Sequence, residues 1–326
     1  MDLATIESHQ SDRSLTLAAR FRQQVASLPV SNVFNPSFHV DDRAAVLAFR
    51  AIVDGEQELA AFVAVDDELI RLDGLTPPVA VPRLIDPKVF ALDDRVFITF
   101  HSGVVSPRNQ VFVMEVHPRV GPIREVIYSR RRPQERNWAF FSKGGDIHAV
   151  YWLNPLMVLK LVRETENAWV MARAWAPRLD PHLPENLTLG TPLAGHPDGF
   201  RFVGHGKTMV DGKKIYQGRA GLFDFERRAI TLDDEWLVHS LASMAGSPIK
   251  HNTHLHSCTY FSGIQVVGGE TVVGYGVNDV DYGFASLRPS ARGAAPSVKS
   301  RGGSEAPALP LEVGEPSPGR AASEPR

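Results

Sequence analysis

The 326-residue chain has one cysteine, Cys258, and its 35 basic against 37 acidic side chains leave a net charge of -2. A lone thiol makes no internal disulfide and no CxxC zinc site, which suits a reducing compartment. So even a charge balance gives no drive toward nucleic acid or an anionic membrane, whose binders carry a basic stripe. No run reaches the roughly 18 to 20 apolar residues that a membrane span needs. The first thirty residues carry Asp2, Glu7 and Asp12 without a basic start or an unbroken apolar stretch, so no targeting segment is expected and the default location is cytoplasmic. Neither a Gly-x-Gly-x-x-Gly nor a P-loop follows a strand-like run, which disfavours a dinucleotide or NTP site. Ser257 and Ser262 lie in no Gly-x-Ser-x-Gly context, which disfavours a serine hydrolase.

What remains is a chain of short β-branched and aromatic runs broken by Asp, Gly and Pro, the pattern of an all-β protein. Residues 288–326 differ: they are rich in Pro, Gly, Ser and Ala, hold no aromatic residue and show no period. Such a composition cannot bury enough apolar surface to offset its ordering entropy, and a disordered tail is expected. At the other end, within 1–31, Leu15, Leu17, Ala18, Phe21 and Val25 suggest one face of a short helix ended by Pro29.

Between these ends, over 32–287, one unit recurs: a polar anchor, an apolar strand, an Asp or Gly turn, a second apolar strand, and a polar residue at its end. Asn35-Pro36 opens a run that turns at Asp41-Asp42 and ends at Arg50. Asp86-Pro87 opens one that turns at Asp93-Asp94 and ends at His101. Asn137-Trp138 turns at Gly144-Gly145 and ends at Trp152, and Thr191-Pro192 turns at Asp198-Gly199 and ends at His205. A fifth run from Thr259 turns at Gly268-Gly269 and reaches Asn278-Asp279. The first three anchors, 35, 86 and 137, are spaced by 51 residues. Five copies at a period near 50 predict a radial array, a five-bladed β-propeller; a β-sandwich with look-alike hairpins is the alternative.

In a propeller the inner strands line a shared axis, so the anchors converge where ligands bind. The predicted set is Asn35, Asp86, Asn137 and Thr191, joined by Arg50, His101, His205, Asn278 and Asp279. Each alone reads more simply as a turn residue, because Asn-Pro and Asp-Pro favour turns; recurrence at equivalent positions is what points to function. A ring of this polarity suits a hydroxyl-rich ligand.

These elements resemble a family. Phe34-Asn35-Pro36-Ser37 with Phe49-Arg50, Ile85-Asp86-Pro87-Lys88, Arg136-Asn137-Trp138 with Tyr151-Trp152, Gly190-Thr191-Pro192 with Gly204-His205, and Gly274-Tyr275-Gly276-Val277-Asn278-Asp279 look like the five-bladed propeller carbohydrate enzymes. The nearest is glycoside hydrolase family 130, the β-mannoside phosphorylases, with glycosyltransferase family 108 beside it. The resemblance implies that Asp86 is the general acid, protonating the departing sugar oxygen through a hydroxyl of the bound mannose. Inorganic phosphate then attacks the anomeric carbon with inversion, held by basic residues for which Arg50, Arg136, His205 and Lys207 stand as candidates. It implies no resident cofactor and a sugar or oligosaccharide partner; an oligomer is compatible with it.

The chemistry agrees with one carboxylate. An inverting hydrolase needs an acid and a separate base about 6.5 to 9.5 Å apart, whereas phosphate is already a nucleophilic anion. The first anchor is Asn35, where the hydrolytic relatives of glycoside hydrolase family 43 place an aspartate base. Departures in the third and fourth units leave open a glycosyltransferase or hydrolase of the same fold, or a non-catalytic glycan-binding propeller. Trp138, beside its anchor, is a candidate for stacking on a sugar, and Trp152 is read as filling a core. His254, His256 and Cys258 would share one face of a strand, but without a second cluster a loop leading into the fifth unit is a better reading than zinc. Arg130-Arg131-Arg132 reads as a solvated loop.

Overall fold

The computed structural model describes residues 2–54, 58–66, 68–103, 107–135, 137–248 and 251–288. The expected tail from Pro289 onward and Arg136 lie outside them. The described chain is mostly β-strand with one α-helix. Strand β1 (Leu3–Thr5) and helix α1 (Asp12–Ala26) precede five antiparallel groups. The first is β2 (Val30–Val40), β3 (Ala45–Val53), β4 (Glu58–Val65) and β5 (Glu68–Arg71), paired in that order. The second is β6 (Ile85–Leu92), β7 (Arg95–His101), β8 (Val111–His117) and β9 (Arg124–Ile127). The third is β10 (Ala139–Lys143), β11 (Asp146–Leu153), β12 (Leu156–Glu164) and β13 (Ala168–Arg173). In the fourth, β14 (Thr188–Leu189) and β15 (Ala194–His196) both pair with β16 (Gly199–Val210), which leads to β17 (Lys213–Asp224), β18 (Ala229–Leu232) and β19 (Trp236–Val238). The fifth is β20 (Leu255–Val267), β21 (Glu270–Val277) and β22 (Asp281–Ser286).

All five predicted hairpins form, four with turns at the expected Asp or Gly pair; in the fourth unit the turn is Pro197-Asp198, one residue before the expected Asp198-Gly199. The fourth differs in its first strand, which is split around residues 190–193. Pro192 has no N–H to give a ladder, and Val203 O instead accepts from the N–H groups of Gly190 and Thr191.

Five hydrophobic cores lie between successive groups. Val46 and Ile98 share one, Phe97 and Phe140 the next, and Phe141 and Phe202 the third. Val203 and Phe261 share the fourth, and Phe284 returns to Phe49 in the fifth. Strand alternation feeds two cores at once: in β7, Val96, Ile98 and Phe100 face one neighbour and Phe97 the other. Such strands are buried on both faces, which is why the sequence shows unbroken apolar runs in place of alternating ones.

Helix α1 completes the fifth core. Ser11 caps it, accepting from Ser14 N at 3.2 Å, while Ser14 Oγ accepts from Ser11 N at 2.9 Å. Its buried face is Leu17 and Phe21, and the Phe21 ring packs 5.5 Å from Phe49 and 4.7 Å from Tyr282, centroid to centroid. Leu15, grouped with that face from the sequence, is 47% exposed, because two residues along a helix turn about 200° away. Phe21→Ala should therefore lower the unfolding free energy by about 3–5 kcal/mol in urea titration. An unchanged midpoint would show that the helix is not part of this closure.

Candidate functional site

The inner ends of the groups meet through backbone that few residues tolerate. Asn35, Asp86 and Asn137 adopt left-handed φ values of 54°, 54° and 62°, and Asn278 and Asp279 do so at 54° and 58°. Only Gly, Asn and Asp visit this region at low cost, so the conformation explains the residue types at three anchors 51 apart. At Asn35 and Asp86 the pairing also slips past the anchor, so that Phe34 lies opposite Arg50 and Ile85 opposite His101. The conformation does not distinguish Asn from Asp; the surroundings do.

Asp86 receives Arg50 Nη1 at 2.7 Å on one oxygen and His101 Nε2 at 3.1 Å on the other. His101 Nδ1 accepts the Gly103 N–H at 3.0 Å, which leaves the proton on Nε2 and aims it at the carboxylate. The Arg50 and Asp86 side chains are only 12% and 10% exposed, and both contacts favour the ionised acid. Arg50 Nε is buried and has no partner among the described residues, and the same is true of Asn35 Oδ1. Asn35 reaches that position because residue 276 is glycine: a Cβ there would stand 2.0 Å from Asn35 Oδ1.

Lys88, two residues beyond Asp86, is fully buried and donates to Gly190 O, with its ammonium 5.5 Å from the centre of the Tyr260 ring. Burial pushes its amine down to about 7, against the pull of Asp86. Tyr260 in turn donates to Asn137 Oδ1 at 3.2 Å and packs on His205 at 4.1 Å between centroids, and Asn137 Nδ2 donates to Leu189 O at 2.8 Å. The His205 ring is buried and its pKa is held well below the ordinary value, by burial first and then by the charges of Lys88 and Lys207. Its Nε2 accepts the Phe261 N–H at 2.9 Å, so it presents a neutral ring and not a cation. Asp279 is a second carboxylate in this centre: burial raises its pKa, Arg50 opposes the rise and Asp86 adds to it. Asn278 fixes the turn beside it, with its Oδ1 accepting from Cys258 N at 2.7 Å and its Nδ2 donating to Ser243 O at 3.1 Å.

A cavity of about 280 Å³ opens next to this cluster. Asn137, His205, Lys207, Lys214, Tyr216, Tyr260 and Trp152 are among its walls, and Asp86 and Arg50 are not. The predicted residues therefore divide. Arg50, Asp86 and His101 form one contact group, whereas Asn137, His205 and Lys207 line the cavity. Thr191 is 1% exposed, accepting from Val203 N and donating to Pro192 O, and has a role in the fold.

Trp138 is corrected. It is 2% exposed inside the core, edge-on to Tyr151 at 5.1 Å, while Trp152 lines the cavity with Arg132 at 3.7 Å over its ring. Residue 138 precedes a strand whose side chains feed the core, and 152 occupies the place that Arg50 and His101 hold in the earlier units. The 51-residue period contained that signal. Lys88, Tyr260, Lys214 and Tyr216 were not anticipated, since nothing in their local sequence sets them apart. Among the described residues no group of three His, Cys, Asp or Glu gathers as a metal site; His254 is exposed ahead of β20 and Cys258 is buried within it.

With this geometry in hand, the fold can be compared with solved structures. One match represents the GH130 mannoside phosphorylases, a family described as containing glycoside hydrolases that target β-1,2 mannosidic linkages in Candida mannan. It superposes with a TM-score of 0.56 at 14% identity, over 79% of this chain and 85% of that one. The Listeria innocua β-1,2-mannobiose phosphorylase, in complex with β-1,2-mannobiose, gives 0.55 at 11%, over 79% and 90%. A Bacteroides ovatus glycosyl hydrolase gives 0.54 at 15%, over 79% and 85%. At these identities the likeness is one of fold. No family model and no curated protein sequence matches the chain.

The buried lysine generates a pH test. Its folded pKa of about 7 lies below the ordinary 10.5, so the unfolded chain holds more protons between those values and stability rises with pH across that window. The cost of Lys88 is full below about 7. Lys88→Met should raise Tm at pH 6 by roughly 5 °C, with the gain shrinking toward pH 10. An equal gain at both pH values would contradict the burial account.

Proposed function

We propose that the chain is a five-bladed β-propeller enzyme that cleaves or forms glycosidic bonds, most simply an inverting phosphorylase of the β-mannoside type. The observation that carries this reading is Asp86, placed on left-handed backbone at the junction of the groups between Arg50 and His101. The five cores that close from the last group to the first, and the fold shared with GH130 structures, support the propeller. The cavity beside the junction takes the sugar.

The contacts also suggest how one residue serves as an acid. With Arg50 and the His101 N–H on its oxygens, Asp86 is stabilised as a carboxylate and has no proton to give. Inorganic phosphate offers Arg50 a better bidentate partner, and a guanidinium drawn to it frees one Asp86 oxygen for protonation. In the chemical step a phosphate oxygen forms a bond to the anomeric carbon as the glycosidic C–O bond breaks. The electron pair leaves on the glycosidic oxygen, which takes the Asp86 proton through a sugar hydroxyl. The products are a sugar 1-phosphate and the released sugar, and solvent returns a proton to Asp86. His101 orients the carboxylate throughout.

A second reading follows from Asp279. Two carboxylates in one centre, one held ionised and the other with a raised pKa, are what a hydrolase uses as base and acid. Phosphate separates the two. On β-mannobiose with phosphate, Asp86→Asn should lower sugar 1-phosphate release by about 10²- to 10⁴-fold. A wild-type rate indifferent to phosphate, with loss of activity in Asp279→Asn, would replace phosphorolysis by hydrolysis. Absence of turnover on any glycoside would leave a glycan-binding propeller.

A further inference from the structure

Tyr151, Trp152, Tyr216 and Tyr260 bring aromatic rings to the cavity, and their neighbours sort them. Tyr151 is buried in the core between the second and third groups, with its hydroxyl donating to Glu135. Tyr260 carries the His205 ring at 4.1 Å and the Lys88 ammonium at 5.5 Å from its centre. Tyr216 comes from the hairpin of β16 and β17, which projects with residues 207–214 exposed, and the Lys207 ammonium lies 5.4 Å from its ring centre. Trp152 is held differently.

The Trp152 Nε1 donates to Asn154 O at 2.9 Å. Asn154 is itself buried, and its Nδ2 donates to Asp180 O at 3.0 Å and Leu183 O at 2.9 Å, which fixes the polar edge of the indole. The Arg132 guanidinium lies over the ring, 3.7 Å from its centre. Arg132 is not a wall of the cavity and the indole is, so the face opposite the guanidinium is the one that meets the cavity. Arg132 is anchored in turn. Its N–H donates to Glu135 Oε1 and to the Tyr151 hydroxyl, while the other Glu135 oxygen accepts Arg131 Nε at 2.7 Å. A cation on the far side therefore holds the ring in place before a ligand arrives, which lowers the ordering cost of binding.

A flat, preset aromatic face matches the apolar side of a pyranose ring. In a β-mannopyranoside that side carries the axial hydrogens of C1, C3 and C5. In the α anomer the glycosidic oxygen stands axial on the same side and would strike the indole. The axial 2-hydroxyl that separates mannose from glucose points from the opposite side. We propose that Trp152, positioned by Arg132, is the platform on which a pyranoside lies in this cavity, and that it selects the β anomer without reading the configuration at C2. This rests on the reading that the cavity is the sugar site. At about 280 Å³ the space lies near the lower end of small-molecule sites, enough for a short saccharide.

Saturation-transfer NMR on the full chain tests this with methyl β-mannopyranoside, methyl α-mannopyranoside and methyl β-glucopyranoside. Both β sugars should receive more saturation at H1, H3 and H5 than at H2 and H4. The α-mannoside should bind roughly 3- to 10-fold more weakly than the β-mannoside. Trp152→Ala should remove that difference and leave the ratio of mannoside to glucoside binding unchanged, whereas Trp152→Phe should keep part of it. Arg132→Gln should lower the anomer ratio and Arg132→Lys should retain it; an equal ratio in both would overturn the positioning role. Strongest saturation at H2 and H4, an anomer ratio that survives Trp152→Ala, or binding of none of the three sugars would each overturn the platform. Binding is read here without turnover. A chain that shows the expected pattern and turns over no glycoside would refute the enzymatic reading alone, while turnover with an anomer ratio indifferent to Trp152 would refute the platform alone.

Discussion

The left-handed turn at the inner end of each early sheet is the constraint from which the centre of the molecule follows. At positions 35, 86 and 137 the chain must leave the ladder with a φ near 55–60°, and only a short polar side chain or glycine does so cheaply. Folding therefore delivers Asn or Asp to the place where the apolar cores end. Asn35 Oδ1 and Arg50 Nε are buried there without a partner among the described residues, while Asp86 and Asn137 each have at least two. The backbone requirement thus fixes the residue type at these three positions, and the contacts around each one fix what its side chain does.

Within that frame, chemistry comes from which residue faces which. Structurally equivalent partners carry Arg50, His101 and Trp152 opposite successive anchors, and each gives its sheet a different task. Arg50 and His101 both turn to Asp86, concentrating charge at one anchor, while Trp152 turns to the cavity. The electrostatics are asymmetric on a small scale. A carboxylate gripped by two donors, a carboxyl with a raised pKa and a buried amine near neutrality lie in one cluster beside the cavity.

Much of this was legible in the sequence because the repeat is nearly regular. Apolar runs such as 96–100 announced strands buried on both faces, and the turns at Asp and Gly pairs fixed the hairpin register. Arg50, Asp86 and His101 were found because they recur at the same offset. Trp138 misled because proximity to an anchor in the chain says nothing of which core a strand residue enters. Trp152, at the informative offset, reads from sequence as core because aromatic residues on repeated strands more often pack than bind. Lys88 and Tyr260 were hidden for another reason: their roles come from contacts between groups, Lys88 with Gly190 and Tyr260 with Asn137, which no local pattern encodes. The cavity was equally out of reach, since it depends on how far one hairpin projects.

The fifth core, shared by helix α1 and β22, has a consequence for biosynthesis. Ser11 Oγ and Ser286 Oγ, 2.7 Å apart, are separated by 275 positions, and Phe21 meets Tyr282 across a similar span. Helix α1 meets Phe49 soon after it in the chain, but the side of Phe21 that packs on Tyr282 and Phe284 stays open until β22 has been made. During translation the chain is an open arc with an unpaired seam, vulnerable to association with a neighbour on the same message. Ring closure is then a late, high-contact-order event, and a truncation that removed only β22 would leave every other sheet intact yet keep the arc from closing.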